Sequence, residues 1–287
     1  MSVRSVITDV MWDRIKSLMP ADPVRGRQWA GHRRTLEAIA WKYRTCSPWR
    51  DLPDELGSYQ TTHKRVLRWA VDGTSTKIFA AAVLAEADAD DSIGWTVSVD
   101  STVIRARQPA AGTLKKRAAR RGEPTDHRVG RSRGGLSTKV HLAADGRARP
   151  LAFGITAGQA GDAPAFAAVM ARIRVPGTGP GRPRTRPTAV LADRAYSSRA
   201  IRAHLRQRGI RAVIPQPSDQ VGHRLRLGRR GGCPPGSDVE ACKQRNAAER
   251  CINRLKQWRG PATRCDKLAI ACQTALHFAA IPIWCRT

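Results

Sequence analysis

Acidic side chains are scarce in this sequence: 23 Asp and Glu stand against 51 Lys and Arg, a formal charge of +28 over 287 residues. That imbalance excludes the near-neutral surface of an ordinary metabolic enzyme. Lysine is scarce as well, so the cationic surface is mostly arginine, whose planar fork pairs bidentately with phosphate oxygens. Long apolar runs are missing: none approaches the roughly 18–20 residues that cross a bilayer. The opening MSVRSVITDVMWDRIK lacks the charged start, apolar middle and small-residue end of a secretion signal. The expected location is the cytoplasm, in association with the nucleoid. No Cys-x-x-Cys pair occurs among Cys46, Cys233, Cys242, Cys251, Cys265, Cys272 and Cys285, which argues against a zinc ribbon or a disulfide framework. All seven are expected as reduced thiols, most of them core fillers.

What remains is a chain able to fold, with eight tryptophans and a 41% hydrophobic content arranged in periodic segments rather than diluted through a basic tail. A nucleic acid is the expected partner, because neutralised phosphates release counterions and make binding tight and salt-dependent.

Residues 8–19 read as a helix capped by Thr8 or Asp9, with Trp12, Ile15 and Met19 on one stripe. Leu36, Ile39, Ala40 and Tyr43 mark a second helix. A third, YQTTHKRVLRWAVDG, turns Val66, Leu67 and Ala70 inward and carries His63, Lys64, Arg65 and Arg68 on its polar side, as a groove-reading helix would. Residues 1–75 are thus expected to form an all-α, helix-turn-helix-like DNA-binding domain, although the connection exceeds the usual 3–4 residue turn. Residues 76–94 are expected as a helical joint. From Trp95 the period changes to two: WTVSVDSTVIRAR is a strand, residues 136–158 a hairpin about Asp145-Gly146, and TAVLAD and IRAVIP short strands. Helices begin at Asp162, read as a cap, and at Ser197. The order β-β-β-α-β-α-β makes 95–287 an α/β layer domain. The basic stretches 113–134, with Lys115, Lys116, Arg131 and Arg133, and 217–240 read as loops that clamp phosphates.

The scarce acids carry the chemical information. Asp100 and Asp193 end strands, and Glu249 lies in the middle of ACKQRNAAERCINRLKQWRG, read as one helix. Carboxylates at the carboxyl ends of neighbouring strands face one crevice, where they repel unless a hard cation intervenes. Three acids shared by two such ions are the arrangement for in-line phosphoryl displacement. Helical spacing puts Arg245, Glu249 and Lys256 on one face, joined by Asn253, and leaves Ala248, Ile252 and Leu255 for packing. A surface salt-bridge ladder is the other reading of that stripe.

These blocks together, VSVDSTVIRA, GRSRGGLSTKVHLAADG, GQAGDAPAF, LADRAYSSRAIRAHLRQRGIRAVIP and RNAAERCINRLKQWRG, resemble the DDE-type transposases of bacterial insertion sequences, in the group numbered four and five. The resemblance runs over nearly the whole chain. It implies an α/β fold with a mixed-sheet, ribonuclease-H-like catalytic domain behind the helical DNA-binding domain. It also implies a transposase that binds terminal inverted repeats and performs metal-dependent strand cleavage and transfer. Asp100, Asp193 and Glu249 would be catalytic acids and ligands of two Mg²⁺ ions, with Mn²⁺ able to substitute. Arg245 and Lys256 would touch double-stranded DNA near the cut, in a homodimer that pairs element ends. Cys242 stands at the tyrosine of the group's Tyr-x2-Arg-x3-Glu-x6-Lys signature, removing a phenol from that position. The alternative is a catalytically inactive DNA-binding repressor derived from a decayed element.

Overall fold

The computed structural model describes residues 5–21, 28–90, 93–112, 121–176, 181–236, 238, 241–242 and 244–285. Helix α1 (Asp9–Ile15) starts where the Thr8 hydroxyl accepts from the Met11 amide, satisfying one orphan donor of the first turn, and it ends in a 3₁₀ turn before Pro20. Helices α2 (His32–Thr45) and α3 (Tyr59–Val71) bury Leu36, Ile39 and Tyr43 and Val66, Leu67 and Trp69. Their connection holds two 3₁₀ turns, Trp49–Asp51 and Asp54–Leu56, each preceded by a proline whose fixed φ suits that entry. Helix α4 (Thr74–Asp90) follows and buries Ile78, Phe79 and Ala82.

The second half holds strand β1 (Thr96–Arg105), helix α5 (Gln108–Ala111), strands β2 (Gly130–Ser132), β3 (Gly135–Ala144) and β4 (Pro150–Ala157), and helix α6 (Asp162–Ala171). Strand β5 (Ala189–Ala192), helix α7 (Arg199–Gln207), strand β6 (Arg211–Val213) and helix α8 (Ser218–Arg226) come next, then α9 (Asn246–Lys256), α10 (Arg259–Ala262) and α11 (Ala269–Trp284). The sheet is mixed. β3 pairs antiparallel with β2 and β4 along one edge and with β1 along the other, after which β5 and β6 continue parallel to β1. β5 and β6 return through helical crossovers, as parallel neighbours must.

One hydrophobic cluster runs from Ile7, Met11 and Ile15 through Trp69, Ile78 and Phe79 to Val97, Leu142, Phe153 and Trp284. The N-terminal helices therefore share a core with the sheet. Helix α11 makes this possible: it is apolar on nearly all sides, as a fully buried helix is, and packs on α2, α3, α4 and β4. His277 on α11 stacks on Phe79 at 5.3 Å between ring centroids, and burial lowers its pKa to about 4, so it is a neutral core aromatic.

Three expectations are corrected. Residues 217–240 are not simply a loop: α8 and a 3₁₀ turn at Gly228–Gly231 occupy part of them. Helix α8 has no buried residue, so no apolar period was available to reveal it. Cys46 and Cys265 are not both free thiols: they are joined, with Cα atoms 6.9 Å apart across 219 residues of sequence, a pairing that no local spacing encodes. The segment containing Glu249 is not one helix from Ala241 onward, because Gln244 and Arg245 form a turn and α9 starts at Asn246. No helix among the described residues is long and apolar enough to cross a membrane.

Candidate active site

Strand lengths build the site. β1 pairs with β3 as far as Arg105, whereas its parallel partner β5 stops at Ala192, opposite Val99. Asp100 therefore lies within β1, not at its end as expected, and it is the early end of β5 that opens a crevice there. The register places Asp193, the next residue of β5's chain, beside Asp100, at a spacing of about 4.8 Å between strands. Asp193 caps a 3₁₀ turn, its carboxylate accepting from the Ala195 amide at 2.9 Å. Glu249 comes from α9, which lays Ala247, Ala248, Cys251, Ile252 and Leu255 against β1 and β3 and leaves Glu249, Asn253 and Lys256 exposed.

Charge records this meeting. Burial raises the Asp100 pKa from its ordinary value, and the negative charges of Asp193 and Glu249 act in the same sense. The Ser101 amide, donating to Asp100 Oδ1 at 2.7 Å, and the charge of Arg245 act in the opposite sense. Arg245 itself pairs with Glu249 at 3.2 Å. Among the described residues, no three His, Cys, Asp or Glu side chains are gathered into a set that would grip an ion in the present arrangement. The three acids are near enough to repel one another, and Glu249 is held by an arginine.

A carboxyl whose folded pKa lies above its unfolded value costs stability while it is charged, and that cost disappears as pH falls through the folded pKa. Asp100→Asn should therefore raise the melting temperature of the metal-free protein at neutral pH, with the difference from the parent closing in acid. Calorimetry in chelator measures this. A lower melting temperature for the variant would make Asp100 a structural carboxylate.

Asp162, read from sequence as a helix cap, has another task. Gly161 occupies the cap position of α6, and the Asp162 carboxylate instead accepts from Ser101 Oγ at 2.7 Å and pairs with Lys139 at 3.0 Å. Ser101 is thus anchored by its side chain to Asp162 while its amide holds Asp100. Neighbouring His141 is buried, which lowers its pKa to about 4 and keeps it neutral, and its Nε2 bonds Thr156 Oγ1 at 2.8 Å. The Tyr196 hydroxyl is held above the tyrosine range by burial and then by the charges of Asp162, Asp100 and Asp193, so it remains a neutral phenol beside the acids. The sequence signal for this group was slight: Lys139 and His141 place two polar residues on one face of a largely buried strand.

The expected DNA contacts divide. Arg245, Asn253 and Lys256 share α9 and its N-terminal turn with Glu249. Lys64 and Arg68 are exposed on α3, and the Arg68 guanidinium lies 5.4 Å from the Trp29 ring centre. Arg65 is corrected: it is 6% exposed, lies 4.2 Å over Trp29 and bonds His32 Nδ1 at 3.2 Å, so it packs the helices rather than facing outward. Cation–π contact with two tryptophans favours that inward turn. Arg131 and Arg133 are exposed on β2 and its turn into β3. Lys115 and Lys116 lie outside the described residues. Cys242, at the tyrosine position, packs half-buried against Ala189, Leu191, Val213 and Ala241.

Residues 7–79 match the family model described as a putative transposase of the IS4/5 family, and residues 92–281 match that of the transposase DDE domain. The uncharacterized protein y4sN of Sinorhizobium fredii is 35% identical over 117 residues, 40% of this chain and 87% of that protein. A putative transposase for insertion sequence element IS6501 of Brucella ovis is 26% identical over 151 residues, 53% of this chain and its whole length. Among solved structures, the Mos1 transposase paired-end complex with left transposon end is similar over 84% of this chain and 83% of that one, at 13% identity and a TM-score of 0.25.

Proposed function

The chain belongs to the transposases with a DDE domain, and from that premise we propose that it binds the terminal inverted repeats of an insertion sequence, cleaves DNA there by hydrolysis and joins the freed 3′-hydroxyls to target DNA. The observation that carries the reading is the convergence of three acids from three separate elements: the β1–β5 register sets Asp193 beside Asp100, and the helix bearing Glu249 packs on β1. The sheet supports it: antiparallel β4, β3 and β1 followed by parallel β5 and β6, with short β2 added at the β3 edge, is the order expected of a ribonuclease-H-like domain.

The residues fit a hard divalent cation by donor type and by charge. All three are carboxylates, Asp100 carries repulsion that a cation would remove, and one of its oxygens is already fixed by the Ser101 amide. Asp100 would be the ligand common to two Mg²⁺ ions, and Asp193 and Glu249 would hold one each. Bound there, the metal supplies a lowered pKa for attacking water and charge stabilisation at the leaving oxygen. The chain's own residues do the rest. Arg245 and Lys256 bind phosphates flanking the scissile bond, and Asn253 hydrogen-bonds between them. Asp162 and Lys139 lock Ser101, so that its amide keeps Asp100 in one rotamer. The α3 face with Lys64 and Arg68 engages duplex DNA of the element ends, and two chains pair two ends.

Incubation of the protein with duplex DNA bearing the sequences that bracket its reading frame tests this. Nicks with 3′-hydroxyl ends are expected in Mg²⁺ and none in chelator, with binding in both. Binding without cleavage in either would leave the inactive repressor.

A further inference from the structure

Away from the acids, a groove of about 780 Å³ lies between α7 and the α8 region. Arg199, Arg202 and Arg206 line one wall at helical spacings of three and four, and Arg224, Arg226 and Arg230 line the other. Among the described residues, Asp219 is the only carboxylate in the lining. Elsewhere, buried or half-buried arginines have partners: Arg172 the Phe153 carbonyl, Arg208 that of Thr185, Arg264 those of Arg128 and Lys267, and Arg149 the Asp145 carboxylate. In the groove only Arg202 is engaged in that way, by Ile214. Arg199, Arg206, Arg224, Arg226 and Arg230 have no ion pair or side-chain hydrogen bond among the described residues, and Arg224 Nε is buried without an acceptor.

Like charges facing one another across a cavity repel, and the arrangement is favourable only with a polyanion between the walls. We propose that this groove binds the phosphodiester backbone of a single DNA strand, the strand that leaves the cleavage site. Size favours one strand: a groove of this volume is about 9 Å on edge, less than the ~12 Å width of the major groove alone, and so matches one sugar–phosphate backbone better than a whole duplex. Position favours the leaving strand. Ser197, in the lining, closes the 3₁₀ turn that Asp193 caps, so this wall of the groove follows Asp193 by four residues of chain. Leu227, 41% exposed in the lining, offers an apolar surface to an unstacked base. The identity of the strand rests on the transposase reading; the phosphate site itself does not.

The test uses the full chain with Arg199, Arg206 and Arg226 changed together to Gln. All three are exposed, so the fold has no stake in them, and a thermal melt confirms that. Fluorescence anisotropy in chelator follows a labelled oligothymidylate and a blunt duplex across a salt series. Three lost contacts should reduce the slope of log K against log salt by about 2 for the single strand. The duplex slope should change by less than one contact's worth. An unchanged oligothymidylate slope overturns the proposal, and so does a loss of about 2.7 on the duplex, which would mean that the walls grip double-stranded DNA. An equal fall with oligouridylate alone, and none with oligothymidylate, would make the groove an RNA site and also overturn it. Because no metal is present, failure of the parent to cleave in Mg²⁺ would remove the transposase reading and leave this result intact.

Discussion

Glu249→Gln should abolish Mg²⁺-dependent cleavage while leaving DNA binding in chelator at the parental level. The side chain is 48% exposed and lies on the face of α9 opposite Ala247, Cys251 and Leu255, so the helix keeps its packing. Gln fills the same volume and still accepts a hydrogen bond from Arg245. What it removes is the negative charge. If Glu249 holds an ion that stabilises the charged transition state by several kcal/mol, the loss is about a thousandfold in rate. Single-turnover cleavage of end-bearing DNA measures it, and a variant within a few-fold of the parent would remove Glu249 from the chemistry. A drop in binding alone would assign Glu249 to the salt-bridge ladder with Arg245.

Asp145→Ala should damage the fold severely, destabilising it by about 3–5 kcal/mol. Asp145 reads in sequence as the first residue of an Asp-Gly turn, but it is fully buried. Its carboxylate accepts from the amides of Arg147 at 3.0 Å and Arg149 at 2.8 Å and pairs with the Arg149 guanidinium at 2.7 Å. That guanidinium lies 4.2 Å over the Trp284 ring, and Trp284 Nε1 donates to the Pro150 carbonyl at 2.8 Å. The turn thus pins the end of α11 to the sheet. Removing the carboxylate takes the Asp145 charge and its bonds away from Arg149, which is 1% exposed in the core. Against a total of roughly 5–15 kcal/mol such a loss approaches unfolding. Urea midpoints of the parent and of Asp145→Ala and Asp145→Asn decide it. Asn keeps the amide acceptor and should fall between the two, and a loss under about 1 kcal/mol in the Ala variant would show that the pair contributes little.

Much of the architecture was legible because it repeats locally. Alternation in residues 95–107 and 136–158 and the helical spacing in α2, α3 and α7 mark these elements, although β3 and β4 prove buried on both faces rather than on one. Helix α11 was harder to place. It is apolar on every side, so its pattern names burial without naming a neighbour, and only the fold shows it joining the N-terminal helices to the sheet. Family matches divide the chain between residues 79 and 92, while α4, expected there as a joint, contributes Ile78, Phe79 and Ala82 to the common core.

The candidate site divides along the same line. Asp100, Asp193 and Glu249 stood out by chemistry, as acids in apolar or basic surroundings of a chain with net charge +28. Residue type and local period were enough to select them, because both are properties of the chain itself. Their approach, the anchoring of Asp100 through Ser101 to Asp162, the inward turn of Arg65 and the arginine-lined groove were decided by the tertiary structure alone. The physical reason is that each depends on where one strand stops relative to its partner, or on which helix faces which, and such relations join residues too far apart in sequence for any local pattern to carry.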